Sequence, residues 1–264
     1  MIANIKIDQK QTALRTLSLL DLTSLNDNDS EADIKKLCDK AISKHGRVAA
    51  VCVWPSFVKL AAELLKDTSV KVAAVANFPE GGIDIDACVQ SCAEIVKAGG
   101  DEVDVVFPYS AFLSGDKDIG AELVAACKQA CGNKAKLKVI LETGELKSTD
   151  LIKQASKIAL DNGADFIKTS TGKTPVSATP EAARAMLETL KETDSSAGFK
   201  AAGGIKDIET AAEYLALADE IMGEGWVKPE TFRFGASGVL NNLLAVLNNE
   251  EIPKSFTQET AEGY

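Results

Sequence analysis

Apolar residues gather in short runs that return along the chain at a near-constant interval. The runs are LSLLDLT (17–23), VAAVCVW (48–54), VKVAAVANF (70–78), EVDVVF (102–107), KLKVILET (136–143), DFIKTST (165–171), GFKAAGG (198–204) and FRFGAS (232–237). Their starts lie roughly 23 to 34 residues apart, about one β-helix-β repeat. Each is strand-length and continuous, the pattern of a strand buried on both faces of a parallel sheet. Between the runs, apolar residues take helical spacing over Ser56–Lys66, Asp86–Ala98, Ile119–Ala130 and Thr149–Asn162, the last stopped by Gly163. Thr179-Pro180-Glu181 opens another helix with a cap residue, a first-turn proline and an acid at the positive end. Asp207–Leu217 and Gly238–Leu247 complete the set.

Eight strands alternating with helices leave a closed barrel or an open doubly wound sheet. The open dinucleotide fold carries a glycine-rich turn after its first strand, and here that strand runs into DLTSLND without a glycine. The regular count of eight predicts an α/β fold of the (β/α)8 TIM-barrel class. We expect one domain over residues 1–264, with a short N-terminal extension and a flexible polar tail over 248–264.

Composition narrows the partners. The 264 residues include 29 Lys+Arg and 39 Asp+Glu, a formal net charge of −10. That balance opposes nucleic acid or an anionic membrane as main partner, because both need a basic face. The chain begins MIANIKIDQKQ, with no basic stretch leading into an apolar core, and no apolar run reaches the ~18 residues of a membrane span. A cytoplasmic protein is expected. The six cysteines, at 38, 52, 88, 92, 127 and 131, are expected to stay reduced. Cys88 and Cys92, and Cys127 and Cys131, have helical i,i+4 spacing. A four-thiolate metal site is conceivable there, but zinc pairs usually stand two residues apart, so core packing on helices is expected. With His45 as the one histidine, a multi-histidine metal site cannot be built.

The candidate chemistry is charge inside apolar strands: Asp104, Lys138, Lys168 and Lys200. Buried charges must be paired, hydrogen-bonded or neutral. Residues i and i+2 share a strand face, so Lys168 lies with Phe166 and Ser170, and Lys200 with Gly198 and Ala202. The two lysines fall on consecutive strands, ~4.8 Å apart. A neighbouring positive charge lowers an amine's pKa, and a neutral lysine attacks carbonyls to form a Schiff base. Asp104 would hold the second lysine charged and take part in proton transfer. A buried ion-pair network without chemistry would place the same charges. A second group is glycine-rich and follows the last three strands: Gly172-Lys173, Gly203-Gly204 and Gly235-Ala236-Ser237-Gly238. Backbone N–H groups at such turns can cradle a phosphate, although glycine is also the default turn residue.

At these residues the sequence resembles the deoxyribose-phosphate aldolases, bacterial class I aldolases of 2-deoxyribose 5-phosphate. The similarity runs from LLDLTSLND to Tyr264 and is strongest in DEVDVVFPY (101–109), LKVILETGELK (137–147), GADFIKTSTGK (163–173), GFKAAGG and FRFGAS. It implies that Lys168 forms the Schiff base, Lys200 perturbs it and Asp104 relays protons. It also implies substrate contacts at Asp21, Thr23 and Cys52, and a phosphate pocket from Gly172, Lys173, Gly203, Gly204, Gly235 and Ser237. Lys138, a charge in the same strand set, joins the candidate substrate contacts. Tyr264 matches a C-terminal tyrosine on a mobile tail. Ala201 stands where the familiar pattern has proline, Gly238 where a second serine is common, and the tail is longer. The resemblance implies reversible cleavage of 2-deoxy-D-ribose 5-phosphate to acetaldehyde and D-glyceraldehyde 3-phosphate, without cofactor or metal, in a homodimer or monomer. A transaldolase-like Schiff-base enzyme and a non-catalytic phosphosugar-binding barrel are the other two readings.

Overall fold

In the computed structural model, which describes residues 8–251, each of the eight apolar runs forms a strand. They are β1 (Leu20–Thr23), β2 (Ala50–Val53), β3 (Lys71–Ala76), β4 (Glu102–Val106), β5 (Lys136–Ile140), β6 (Phe166–Lys168), β7 (Gly198–Ala202) and β8 (Phe232–Ala236). Sequential neighbours pair in parallel, and β1 closes the ring by pairing with β8, Leu20 opposite Phe234. The product is the expected (β/α)8 TIM barrel. Helices Val58–Leu65, Ile85–Lys97, Asp118–Cys131, Thr149–Asp161, Pro180–Glu192, Ile208–Met222 and Val239–Asn248 surround it. The predicted helix from Asp207 is a full turn longer than its pattern suggested, ending at Met222 before Gly223 at φ +94°.

Two long helices lie outside the predicted set, as do the short helices Tyr109–Leu113 and Thr143–Leu146 after β4 and β5. Gln9–Ser18 precedes β1, and Glu31–Lys40 fills the first crossover. Glu31–Lys40 buries Ile34, Leu37 and Cys38, a short i, i+3, i+4 apolar stripe on an otherwise polar segment. Its local signal is a capping box: the Ser30 side chain accepts from the Asp33 N–H while the Asp33 carboxylate accepts from the Ser30 N–H.

Strand alternation divides the interior in two. Outward positions such as Leu20, Val51, Val103, Val139, Phe199 and Phe234 join the helices in one continuous apolar shell. Inward positions carry all the buried charges of the strands, and a small apolar patch of Leu25, Cys52, Ala73 and Val75, flanked by Trp54 and Phe78, covers one side. Phe166 plugs the N-terminal end. Arg233 stacks 5.6 Å over its ring, and Gly198 makes room for it, since a Cβ there would stand 2.3 Å from the ring edge. His45 turns a two-stranded hairpin beside β2 and bonds Asn248, 2.8 Å away, which is surface tethering.

Candidate active site

Parallel register sets the lysine pair side by side: Lys168 on β6 pairs directly with Lys200 on β7. Asp104 on β4 reaches both. Its Oδ2 accepts from Lys168 Nζ and Lys200 Nζ, each at 2.8 Å, and its Oδ1 accepts from Lys138 Nζ at 2.8 Å. Lys200 also donates to Asp21 Oδ2 at 2.6 Å. Lys138 is within 2.6 Å of Glu102 and 3.6 Å of Asp21. Arg233 closes the network by donating to Asp21 at 2.6 Å and to Glu102 at 2.8 and 3.2 Å. All seven side chains are buried.

Counting partners shows which amine is set apart. Among the described residues, Lys138 faces three carboxylates and Lys200 two, but Lys168 has Asp104 alone. With four bases and three acids, the cluster is electroneutral when one base gives up its proton. Burial, assisted by the Lys200 charge, pushes the Lys168 pKa down against the pull of Asp104. Burial acts the same way on Lys200, but Asp104 and Asp21 outweigh it and hold that ammonium well above its ordinary range. Lys138 is likewise raised once Asp104 and Glu102 overcome its burial. Burial alone would raise the Asp104 pKa, yet Lys138, Lys168 and Lys200 together hold it well below the usual carboxylate range. Lys168 is thus the one lysine of the three whose charged form is disfavoured, with burial the main cause and the lysine neighbour the second.

The strand exits form a second layer. Gly172 and Gly203 have φ of +82° and +79°, and a Cβ on Gly203 would stand 3.5 Å from Gly172 Cα and 2.5 Å from Ser177. The loops after β6 and β7 therefore touch through glycine. Gly204, Lys173 and Ser237 are exposed at this rim, and Lys173 Nζ donates to the Leu25 carbonyl at 2.9 Å. Glu142, buried with φ +56°, accepts from the Thr171 N–H and hydroxyl and from the Thr174 hydroxyl, which pins the Gly172-Lys173 loop. Ser170, two residues beyond Lys168, has a buried hydroxyl without a hydrogen-bond partner among the described residues. The surface clefts of about 390 and 290 Å3 lie at the opposite strand ends, beside Lys136 and Asp165, away from this chemistry.

The family model described as DeoC/LacD family aldolase matches residues 15–240. The chain belongs to this aldolase family. Among solved structures, a provisionally assigned deoxyribose-phosphate aldolase from Toxoplasma gondii is 25% identical, with TM-score 0.84, covering 92% of this chain and 96% of that one. One from Coccidioides immitis, also provisionally assigned, is 29% identical with TM-score 0.77, covering 87% and 85%. A structure titled QR15, an aldolase, is 32% identical with TM-score 0.76, covering 89% and 96%.

Within this DeoC/LacD barrel the expected residues do not all share one role. Lys168, Lys200 and Asp104 meet as expected. Asp21 and Lys138 are fully buried in the same ion-pair network as Lys200 and Asp104. Thr23 shares the face of Asp21 and donates to its carbonyl at 2.9 Å. Cys52 is fully buried in the apolar patch, and burial raises its thiol pKa. Gly235 lies inside β8, not in the turn: a Cβ there would stand 2.9 Å from Lys200 Cε, so its bareness makes room for that lysine. Tyr264 lies outside the described residues. Glu102 and Arg233 are network members the sequence pattern also carried, as charges inside EVDVVF and FRFGAS. Applying the charged-strand criterion to every run would have found both.

Proposed function

We propose that the chain is a Schiff-base aldolase that reversibly cleaves 2-deoxy-D-ribose 5-phosphate to acetaldehyde and D-glyceraldehyde 3-phosphate, and that it works in the cytoplasm. The observation that carries this is the lysine sharing Asp104 with Lys200 while having no second carboxylate of its own. In the cleavage direction the Lys168 amine attacks C1 of the open-chain sugar, and loss of water leaves a protonated imine. Removal of the C3 hydroxyl proton breaks C2–C3 and releases glyceraldehyde 3-phosphate. The enamine left on Lys168 takes a proton at carbon, and hydrolysis frees acetaldehyde. Asp104, bonded to both amines, is positioned to pass protons between them. The iminium is the electron sink.

Other features support the substrate class. The patch of Cys52, Ala73 and Val75 supplies an apolar wall suited to the deoxygenated carbon. The Ser170 hydroxyl is free to bond a sugar hydroxyl. Lys173, Gly204 and Ser237 form a rim suited to a phosphate. Tyr264 would assist proton exchange at the enamine carbon, and a homodimer or monomer completes the proposal.

Acetaldehyde plus borohydride tests the mechanism. Peptide mass analysis should find a reduced two-carbon adduct on Lys168, with activity lost. An adduct solely on Lys200 reverses the assignment, and intact activity with no adduct refutes the Schiff base. Release of glyceraldehyde 3-phosphate from the deoxy sugar, followed with a coupled assay, tests the substrate.

A further inference from the structure

Far from the barrel mouth, two adjacent crossover helices share a set of thiols. Cys88 and Cys92 lie one turn apart on Ile85–Lys97, and Cys127 and Cys131 one turn apart on Asp118–Cys131. Side chains at i and i+4 share a helix face. All four thiols are buried where these two helices pack, with exposures of 3, 0, 0 and 1%. Cys88 Sγ is 3.2 Å from Cys127 Sγ, and the sulfurs of Cys88, Cys92 and Cys127 lie within 4.8 Å of one another. Cys131 lies one turn beyond Cys127 on the same helix, next to that triangle.

We infer that Cys88, Cys92, Cys127 and Cys131 form a structural metal site for a thiophilic ion of the zinc(II) class, clamping these two helices together. A zinc ion about 2.3 Å from each sulfur places tetrahedral sulfurs roughly 3.8 Å apart. The sulfur triangle already has that scale, so side-chain rotations suffice. A disulfide needs two sulfurs, whereas here a third closes a triangle and a fourth flanks it. The spacing also has a reason. Zinc pairs two residues apart suit a tight turn, whereas on a continuous helix ligands recur at i,i+4 on one face, as in helical two-histidine zinc motifs. Each thiol that ligates gives up its proton to solvent as the metal–sulfur bond forms.

Cobalt(II) is the probe, added to the reduced, metal-stripped full chain under argon, both to the native protein and during refolding. The expected result is one equivalent bound, with thiolate-to-cobalt charge transfer in the near ultraviolet and tetrahedral ligand-field bands. Zinc(II) should displace the cobalt, protect the four thiols from alkylation and raise the Tm. Cys88→Ala/Cys127→Ala should lose the spectrum and the Tm rise while keeping aldolase activity, since neither residue touches the barrel interior. If that variant fails to fold, X-ray absorption of the zinc-loaded wild type decides: three or four sulfur neighbours support the site, and a nitrogen and oxygen shell overturns it. Absence of stoichiometric cobalt binding under both conditions overturns it. So does a Cys88–Cys127 crosslink in air combined with no metal uptake, which would make the thiols a redox pair.

Discussion

Lys200→Leu is the sharpest perturbation of the proposed mechanism. Lys200 and Lys168 donate to the same carboxylate oxygen, each at 2.8 Å, so their ammonium groups can stand no more than roughly 5–6 Å apart. At an effective dielectric of about 20, two unit charges at that distance repel by about 3 kcal/mol. Removing Lys200 removes this repulsion and leaves Asp104 one donor short, and both changes favour a protonated Lys168. Charge balance points the same way. With Lys168 neutral the cluster holds three acids and three bases. Without Lys200 it is neutral only when Lys168 takes up a proton. A 3 kcal/mol change is a factor on the order of 100 in the ratio of neutral to charged amine. The kcat/KM at pH 7 should therefore fall about 100-fold, and part of the loss should return as pH is raised toward the ordinary lysine range. The assay is a pH–rate profile of deoxyribose 5-phosphate cleavage, with circular dichroism checking the fold and borohydride trapping as a second readout of amine reactivity. A profile with the wild-type shape and midpoint would show that the two amines are not electrostatically coupled, and the reasoning would fail.

Acid should unfold the barrel from within. Asp21, Glu102 and Asp104 are held below their ordinary values by Lys138, Lys200 and Arg233, which outweigh burial. Their stabilisation is full above the unfolded values near pH 4 and is lost as pH falls through the folded ones. The urea midpoint should drop between pH 6 and pH 3, and a flat series would contradict it. Lys173→Met should raise KM for the phosphorylated sugar about tenfold, the worth of a charge-assisted hydrogen bond, and leave the unphosphorylated sugar unaffected; equal effects on both would remove the rim from phosphate recognition. Tyr264→Phe should slow solvent deuterium exchange into acetaldehyde while Lys168 stays trappable, and unchanged exchange would exclude the phenol from the proton path.

The sequence by itself determined the barrel and its reactive strand faces. Eight continuous apolar runs at a steady interval specify parallel strands buried on both sides, and alternation dictates that Lys168 and Lys200 point away from the helix-facing side. These are local periodicities, and a linear pattern carries them. Helix Glu31–Lys40 was less legible because its stripe is short, Ile34, Leu37 and Cys38 among polar residues, although its Ser30 capping box is a local signal as well. Tertiary structure alone decided which amine is the weakly paired one. Asp104 is 64 residues from Lys168 and 96 from Lys200, and Asp21 is 179 from Lys200. Only closure of the ring assigns two carboxylates to Lys200 and one to Lys168, and the proposed division of labour between identical side chains follows from that count. Closure likewise moved Gly235 from turn to strand, beside the Lys200 stem, and turned Lys138 and Asp21 inward as counter-charges. The four helix cysteines obey the same logic. Their i,i+4 spacing is written in the chain, but packing of one crossover helix against the next is what brings their sulfurs within reach of a shared ion.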